Sequence, residues 1–283
     1  MFQAKIYIMI GCRLCQSRRK RFITGESNFN LVKCQNCGLI YLDQDFSASQ
    51  LLDYYQKYFD KNQTGHDIFD SFAFRHQIFQ QIIKKIDSLV SPPGNLLDVG
   101  AAFGNFCLIA KNDGWQTVSL EINQPAVNYI KQNLKLEAYQ SDIINYQTQK
   151  KFKVITFIDT LEHLREPLGS LKKAYQLLNK NGLIYIRVPN INFHLFKTKV
   201  IRIFKKDYQG LELPSHLTHF SPKTLKLILA SSGFTKIKIT PSPQEYLRKN
   251  LLKRLFQPFN YIIYSIFKVN IGNLIEATAF KSK

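Results

Sequence analysis

The sequence predicts an α/β protein in which a doubly wound, mainly parallel sheet follows a small cysteine-containing module. From residue 95 onward, short apolar runs alternate with helical segments, which is the pattern of such a sheet. A glycine-containing turn joins the first of these runs to the first of these helices. Near the N-terminus, four cysteines form two C-x-x-C pairs. The chain has 283 residues, of which 45% are hydrophobic, so it is long and apolar enough for a large buried core.

The cysteine pairs predict a structural zinc site within a module covering residues 1–45. Residues 16–33 separate the two pairs, a spacing that lets two tight turns bring four thiolates to tetrahedral positions. Four cysteines fill the coordination sphere, so we expect a structural rather than a catalytic ion. Basic residues 18–21 lie between the pairs, which leaves nucleic-acid contact open. The predicted ligands are Cys12, Cys15, Cys34 and Cys37.

Residues 46–94 are expected to form a helical linker that caps the α/β domain. Ser47 or Ser49 can begin a tyrosine-rich helix, and residues 72–89 have the apolar spacing of a second helix. Residues 91–94, Ser-Pro-Pro-Gly, end that helix, so residues 95–283 form the predicted α/β domain.

The turn in the segment NLLDVGAAFGNF, residues 95–106, contains Gly100 and Gly104 and precedes an apolar helix. Gly100 suits a turn that needs positive φ or close approach of a ligand to the backbone. Such a turn exposes backbone N–H groups at a helix N-terminus. A dinucleotide would favour three glycines and no nearby negative charge. Here Ala102 takes the place of the second glycine, and Asp98 lies two residues before Gly100. A carboxylate at this place suits an ammonium group, such as that of S-adenosylmethionine (SAM).

This segment resembles motif I, D-x-G-x-G-x-G, of the class I SAM-dependent methyltransferases, with Ala102 replacing the middle glycine. The two C-x-x-C pairs and the LLDYYQKYF segment ahead of it resemble a subset of these enzymes with an N-terminal zinc-binding domain, which includes enzymes acting on sugars and other small metabolites. The resemblance covers residues 12 to about 240. It implies a Rossmann-like, seven-stranded doubly wound sheet with an antiparallel last strand, a small N-terminal zinc ribbon, and SAM as cofactor. A nicotinamide oxidoreductase is the disfavoured alternative.

Further cofactor contacts are expected at the ends of the next strands. Residues 115–120 form the second strand, and Glu121 after it can accept hydrogen bonds from both ribose hydroxyls. The resemblance implies that Asp142, after a third strand near residues 136–139, contacts the adenine amino group and that Ile143 packs on the ring. Helix capping by Asp142 is the alternative.

Polar residues follow the fourth strand, residues 153–158, where α/β sheets bind ligands. The segment D-x-L-E-H-x-x-x-P matches a family motif in which Asp159 would border the methionine part of SAM. Glu162 and His163 are candidates for seating the substrate or cofactor. D-x-x-E-H also resembles the metal-binding E-x-x-E-H of the ubiquinone-pathway O-methyltransferases. A divalent cation there could anchor an oxyanion substrate. Alternatively, Glu162 begins a helix and His163 packs on the glycine turn.

Residues 190–220 have a looser pattern after the fifth strand, residues 183–188, and are predicted to be a lid over the site. Within the lid, the string H-x-x-H-F-S-P-x-T-L recurs in the resembling methyltransferases. His219 is the first choice for a base that faces the methyl acceptor. The alternative is that His219 ties the lid to the next helix by hydrogen bonding.

The C-terminal region is predicted to contain two strands, residues 235–240 and 273–281, separated by a helical insertion over residues 243–271. Within the insertion, residues 246–267 contain a basic amphipathic pattern. Such a helix can lie on an anionic membrane surface or pack against its own domain or a dimer partner.

The net charge of +19 favours anionic partners such as nucleic acid, acidic lipid or phosphorylated small molecules. No run approaches the ~20 apolar residues needed to span a bilayer, so we expect a cytoplasmic protein with peripheral membrane contact as an option. The predicted function is methyl transfer to a small-molecule acceptor such as a sugar or a cell-envelope or secondary-metabolite intermediate. An RNA-binding or RNA-modifying protein is the alternative, although IDTLEHL stands where amino methyltransferases of nucleic acids carry N-P-P-Y.

Overall fold

A computed structural model describes residues 11–47, 49–51, 53–54, 65–242, 264, 266 and 272–282. The predicted basic segment 246–267 therefore lies outside the described residues, apart from positions 264 and 266. Most of the tyrosine-rich linker helix lies outside them as well. Among the described helices, none is both long enough and apolar enough to cross a membrane.

The main sheet has seven strands. Their order is β10 (Phe234–Pro241), β11 (Leu274–Lys281), β8 (Leu178–Pro189), β7 (Phe152–Ile158), β4 (Asn95–Val99), β5 (Gln116–Glu121) and β6 (Glu137–Gln140). Strand β11 runs antiparallel to both of its neighbours, and the other paired strands run parallel. The predicted fold class is therefore confirmed.

Helices cover both faces of this sheet because successive strand residues point to opposite sides. On β4, Leu96 packs on one face with α1 (Gly65–Asp87) and α2 (Asn105–Asn112). Leu97 and Val99 pack on the other face with α4 (Pro167–Leu177) and α6 (Pro222–Ser231). All of these strand residues are buried. The helices are α1 (Gly65–Asp87), α2 (Asn105–Asn112), α3 (Gln124–Gln132), α4 (Pro167–Leu177), α5 (Ile191–Phe204) and α6 (Pro222–Ser231).

The cysteine module contributes a second, smaller sheet. Its strands are β1 (Lys20–Glu26), β2 (Phe29–Cys34) and β3 (Ile40–Leu42). They are joined by β9 (Thr218–His219), which is distant in the sequence. In the β3–β9 pair, Ile40 lies opposite His219 and Tyr41 opposite Thr218. The cysteine module thus shares backbone hydrogen bonding with the segment predicted to be a lid.

The predicted lid is more regular than the sequence indicated. Helix α5 occupies its first half, and the Asn190 side chain caps this helix by accepting a hydrogen bond from the backbone N–H of Asn192 at 3.3 Å. In the second half, the buried Glu26 carboxylate of β1 accepts hydrogen bonds from the backbone N–H groups of Gly210 and Leu211. Four of the eight apolar residues of α5 are exposed to solvent, so its sequence lacks the usual pattern of a core-facing helix.

Candidate active site

The glycine turn between β4 and α2 has the left-handed backbone conformation that its sequence suggests. Gly100 has φ = 75°, and a Cβ atom there would lie 2.5 Å from the Thr160 side chain. Gly104 has φ = 78°, and a Cβ there would lie 2.9 Å from Ile130. Ala102 also adopts positive φ, 47°, at the position where motif I has glycine. Gly100, Ala102 and Gly104 thus all have the positive φ that disfavours bulky side chains.

Asp98 lies below this turn, at the carboxyl end of β4. Its carboxylate is 4% exposed and accepts a hydrogen bond from the hydroxyl of Thr156 on β7 at 2.6 Å. Burial raises the pKa of Asp98 to about 7, although the Thr156 hydrogen bond acts in the opposite direction. The site thus contains a carboxyl group that ionises near neutral pH.

Glu121, at the end of β5, folds back onto the turn. One carboxylate oxygen accepts a hydrogen bond from the backbone N–H of Ala102 at 2.9 Å, and the other accepts from Ile122 and Asn123. Burial raises the pKa of Glu121, and these three hydrogen bonds oppose the shift. Glu121 therefore fixes the shape of the turn and borders the expected ribose position.

Asp142 and Ile143 follow β6. The Asp142 carboxylate accepts hydrogen bonds from the backbone and side-chain N–H groups of Asn145 at 2.9 and 2.7 Å, which is a local capping arrangement. Ile143 is 1% exposed and belongs to the main core. The structure thus shows the local capping geometry that the sequence left as the alternative for Asp142.

Asp159 follows β7 with φ = 53° and forms ion pairs with Arg75 of α1 and Arg187 of β8. Its Oδ1 atom is buried without a hydrogen-bond partner among the described residues. Arg187 is 1% exposed, and Arg75 is half-buried with its guanidinium 5.0 Å from the Phe79 ring centroid. Neither arginine is predicted from the sequence, because only the sheet order and the docking of α1 bring them to Asp159.

Glu162 and His163 meet His216 of the lid segment. Their ligand atoms all lie within 4.8 Å of one another. The Nδ1 atom of His163 hydrogen-bonds the carbonyl oxygen of Ser215 at 2.9 Å; since a carbonyl only accepts, Nδ1 carries the proton and Nε2 the lone pair. The Glu162 Oε2 atom is buried without a partner among the described residues. Asp159 does not join this group and is held by the arginines instead.

His219 lies next to the same group, with its ring centroid 5.9 Å from that of His216. It is 6% exposed, and its Nε2 atom lacks a hydrogen-bond partner among the described residues. Burial lowers the pKa of His219 to about 3 and lowers the pKa values of His163 and His216 as well. These rings are therefore neutral at pH 7. A small cavity beside them is lined by Pro189, Ile191, His194, Glu212, His216 and His219.

The four predicted metal ligands come together at the N-terminal module. The Cys12 and Cys37 sulfurs are 3.4 Å apart, and those of Cys15 and Cys34 are 3.6 Å apart. Tetrahedral zinc with four thiolates would place sulfurs roughly 3.8 Å apart. All four are free cysteines, so this donor set and its geometry fit a four-thiolate metal site.

Comparison with known proteins gives a family match and a set of structures with the same fold. A family model described as a methyltransferase domain matches residues 74–239. The 1,6-didemethyltoxoflavin-N1-methyltransferase of Burkholderia thailandensis is 14% identical and has a TM-score of 0.56, with 94% of this chain and 100% of that chain covered. A SAM-dependent methyltransferase of Thermotoga maritima, described as a possible histamine N-methyltransferase, is 14% identical with a TM-score of 0.55, covering 82% and 100%.

A third structure is the N-methyltransferase NodS of Bradyrhizobium japonicum in complex with S-adenosyl-L-homocysteine. It is 12% identical with a TM-score of 0.53, and the match covers 81% of this chain and 98% of that chain. The comparison with curated proteins gave no match.

Proposed function

The chain belongs to the methyltransferase-domain family and is a SAM-dependent methyltransferase of class I fold; from this premise we propose that it transfers the methyl group of SAM to a small-molecule acceptor. The proposal rests on one observation above all. Asp98, Glu121 and Asp159 place three carboxylates at the carboxyl ends of neighbouring parallel strands, around a turn with left-handed backbone conformation. This is the edge at which α/β sheets bind ligands.

These residues fit SAM rather than a dinucleotide. A pyrophosphate would meet the charge of Asp98, whereas the ammonium and sulfonium of SAM are attracted by it. SAM also has a carboxylate, and Arg75 is the cationic group that we assign to it. Arg75 is only half-buried, and it lies beside Asp159. SAM supplies an activated methyl group. The protein's own contribution is then to align the acceptor and exclude water.

We assign only the nucleophilic group of the acceptor to the cavity beside the histidines, because its volume of about 10 Å³ has room for a group of about the size of one water molecule. His219 offers a lone pair at Nε2, which can accept a hydrogen bond from a hydroxyl or amine nucleophile. Since its pKa of about 3 makes it a weak base, His219 positions the nucleophile more than it stores the proton. Glu162 and His163 complete this wall of the site. Neighbours of the same fold are named for small-molecule acceptors. Together with the resemblance to sugar-modifying enzymes, this supports a sugar or cell-envelope intermediate.

Calorimetric titration of the purified protein with SAM tests the cofactor assignment. We expect Asp98→Ala and Glu121→Ala to abolish measurable binding. Glu137→Ala is the matched control, because Glu137 is a carboxylate of the same sheet that pairs with Lys150 on the surface. Absence of binding by the unaltered protein at millimolar SAM, or equal loss in the Glu137 variant, would contradict the proposal.

A second candidate is metal-assisted O-methylation, favoured by the convergence of Glu162, His163 and His216. Two imidazoles and a carboxylate are a ligand set for divalent Zn²⁺, Fe²⁺ or Mn²⁺ that leaves coordination positions open. A cation bound there would lower the pKa of an acceptor hydroxyl. The His163–Ser215 hydrogen bond orients the imidazole as metal-binding histidines require.

Metal analysis by mass spectrometry separates this candidate from the first. With a zinc ion at the cysteines, metal-assisted chemistry requires two ions per chain in the unaltered protein and one in His216→Ala. Cys34→Ser should lose the other ion. A single ion that survives His216→Ala, after dialysis against each cation, would leave only the metal-independent mechanism.

A further inference from the structure

The outward side of α5 is apolar, which is the reverse of an ordinary surface helix. Phe196, Ile203 and Phe204 are 68%, 70% and 88% exposed, and Val200 is 39% exposed. These four residues, the apolar face of α5, have the i, i+4, i+7 and i+8 spacing of one helical stripe. At about 100° per residue they cover an arc of about 100°. Within the part of the chain that the structure describes, these side chains are exposed to solvent.

The orientation of the helix is fixed from its other side. Ile191 and Thr198 are buried. The guanidinium of Arg202 donates hydrogen bonds to the Thr24 hydroxyl at 2.8 Å, the Gly25 carbonyl at 3.2 Å and the Glu26 carboxylate at 3.1 Å. On a helical wheel, Arg202 lies about 100° or more from each residue of the apolar face. The apolar face therefore cannot turn inward without breaking these contacts with β1.

Basic residues border the apolar face on both sides. Lys199 precedes the arc and Lys197 follows it, each about 20–40° beyond the outermost apolar residue. Lys205 and Lys206 extend the charge past the helix end and are exposed. Residues 191–206 contain five basic side chains and no Asp or Glu. Long basic side chains beside a narrow apolar stripe can reach lipid headgroups while the apolar residues enter the acyl boundary.

We propose that α5 docks the enzyme on an anionic lipid surface. The charge pattern disfavours a second copy, since two such faces in contact would bring their lysines together. RNA would use the lysines and could stack on the phenylalanines, but it offers nothing to Val200 and Ile203. An anionic bilayer offers its acyl boundary to the apolar face of α5 and its charged headgroups to the lysines. This interaction is independent of SAM binding, because the apolar face lies outside the cofactor contacts.

Co-sedimentation with vesicles tests the proposal directly. The full-length protein should bind vesicles of phosphatidylcholine with 30% phosphatidylglycerol and bind pure phosphatidylcholine much more weakly. Ile203→Ser/Phe204→Ser should weaken binding at least about 20-fold, since each CH₂ withdrawn from lipid costs roughly fourfold. Lys199→Gln/Lys206→Gln should weaken binding to the anionic vesicles about 25-fold, at roughly fivefold for each lysine.

Leu227→Ser is the matched control, because Leu227 is an exposed leucine of α6 next to Lys226 and should leave vesicle binding unchanged. An unchanged thermal midpoint and SAM affinity in each variant would show that the fold is intact. Equal binding of the serine and unaltered proteins would overturn the proposal. The proposal would also be overturned if the unaltered protein bound no vesicles but formed a concentration-dependent dimer that Ile203→Ser/Phe204→Ser abolishes. Salt-sensitive RNA binding without vesicle binding would overturn it as well.

Discussion

The buried carboxyl group of Asp98 makes SAM affinity dependent on pH in a way that can be worked out from the structure. Burial raises the pKa of Asp98 to about 7 in the cofactor-free protein. The charge of Glu121 raises the pKa further, while the Thr156 hydrogen bond and Arg75 lower it. Below pH 7 the group is mainly protonated. An ammonium ligand pairs with the ionised form, so binding must release a proton.

The size of the effect follows from linkage. Well below pH 7 the dissociation constant of SAM should rise about tenfold per pH unit, so binding at pH 5.5 should be roughly 15-fold weaker than at pH 7, where half of the Asp98 carboxyl groups are already ionised. The α-amino group of SAM itself titrates near pH 8, which limits the useful range to pH 5.5–7.5. The free energy of unfolding of the cofactor-free protein changes with pH in the opposite sense. As the pH rises from about 4 to 7, the unfolded chain releases the Asp98 proton but the folded chain retains it, so the free energy of unfolding falls by up to about 4 kcal/mol.

Calorimetry at pH 5.5, 6.5 and 7.5, in buffers of different ionisation enthalpy, measures both the affinity and the protons released. Asp98→Asn should bind SAM weakly at every pH, with a flat profile and no proton release from this group. Glu137→Gln should keep the profile of the unaltered protein, because Glu137 lies on the surface beside Lys150. A SAM affinity that does not change between pH 5.5 and 7, or an undiminished slope in Asp98→Asn, would refute the assignment of Asp98 to the ammonium group.

Three further perturbations test other parts of the structure. Cys34→Ser, or removal of metal by a chelator, should increase hydrogen exchange across β1–β3 relative to Cys107→Ser; an unchanged exchange pattern would contradict a structural metal. Glu26→Ala leaves the N–H groups of Gly210 and Leu211 without an acceptor and should lower the free energy of unfolding in urea by about 3 kcal/mol, with Glu26→Gln losing less. Glu276→Ala leaves the Tyr185 hydroxyl and the Lys85 ammonium without their carboxylate partner and should lower the free energy of unfolding by about 3–5 kcal/mol in the same assay. A loss below 1 kcal/mol would show that water replaces the carboxylate.

Much of the α/β domain could be predicted from the sequence because its signals are local. The second and fourth strands begin and end within one residue of their predicted limits, since apolar runs and the turns after them are adjacent in the chain. The positive φ of Gly100 was similarly expected from one short motif. The order of the seven strands was not encoded in this way. The resemblance to a known family implied seven strands with an antiparallel last strand, which the pairing confirms, and the order itself is read from the structure.

The features that sequence reasoning missed all depend on contacts between distant segments. Arg75 reaches Asp159 only because α1 packs on one face of the sheet, against residues of β4, β7 and β8. His216 joins Glu162 and His163 because the lid folds back onto the segment after β7, where the backbone N–H of Leu217 donates to the Glu162 carbonyl. Helix α5 was not predicted because half of its apolar residues are exposed to solvent, and Arg202 together with Ile191 fixes its inner side. In each case a polar or charged contact replaces the hydrophobic periodicity on which sequence prediction rests.

The pairing of β3 with β9 gives the cysteine module a role beyond its own stability. Cys37 lies three residues before Ile40, and Ile40 pairs with His219, the residue that we place against the acceptor. The backbone N–H of Leu42 donates to the Leu217 carbonyl at 3.0 Å, and Glu26 holds the same segment from β1. A two-residue strand such as β9 has too few hydrogen bonds to hold its own position. A metal that fixes β1–β3 therefore also fixes the imidazole of His219, so metal loss should weaken acceptor binding before it weakens SAM binding.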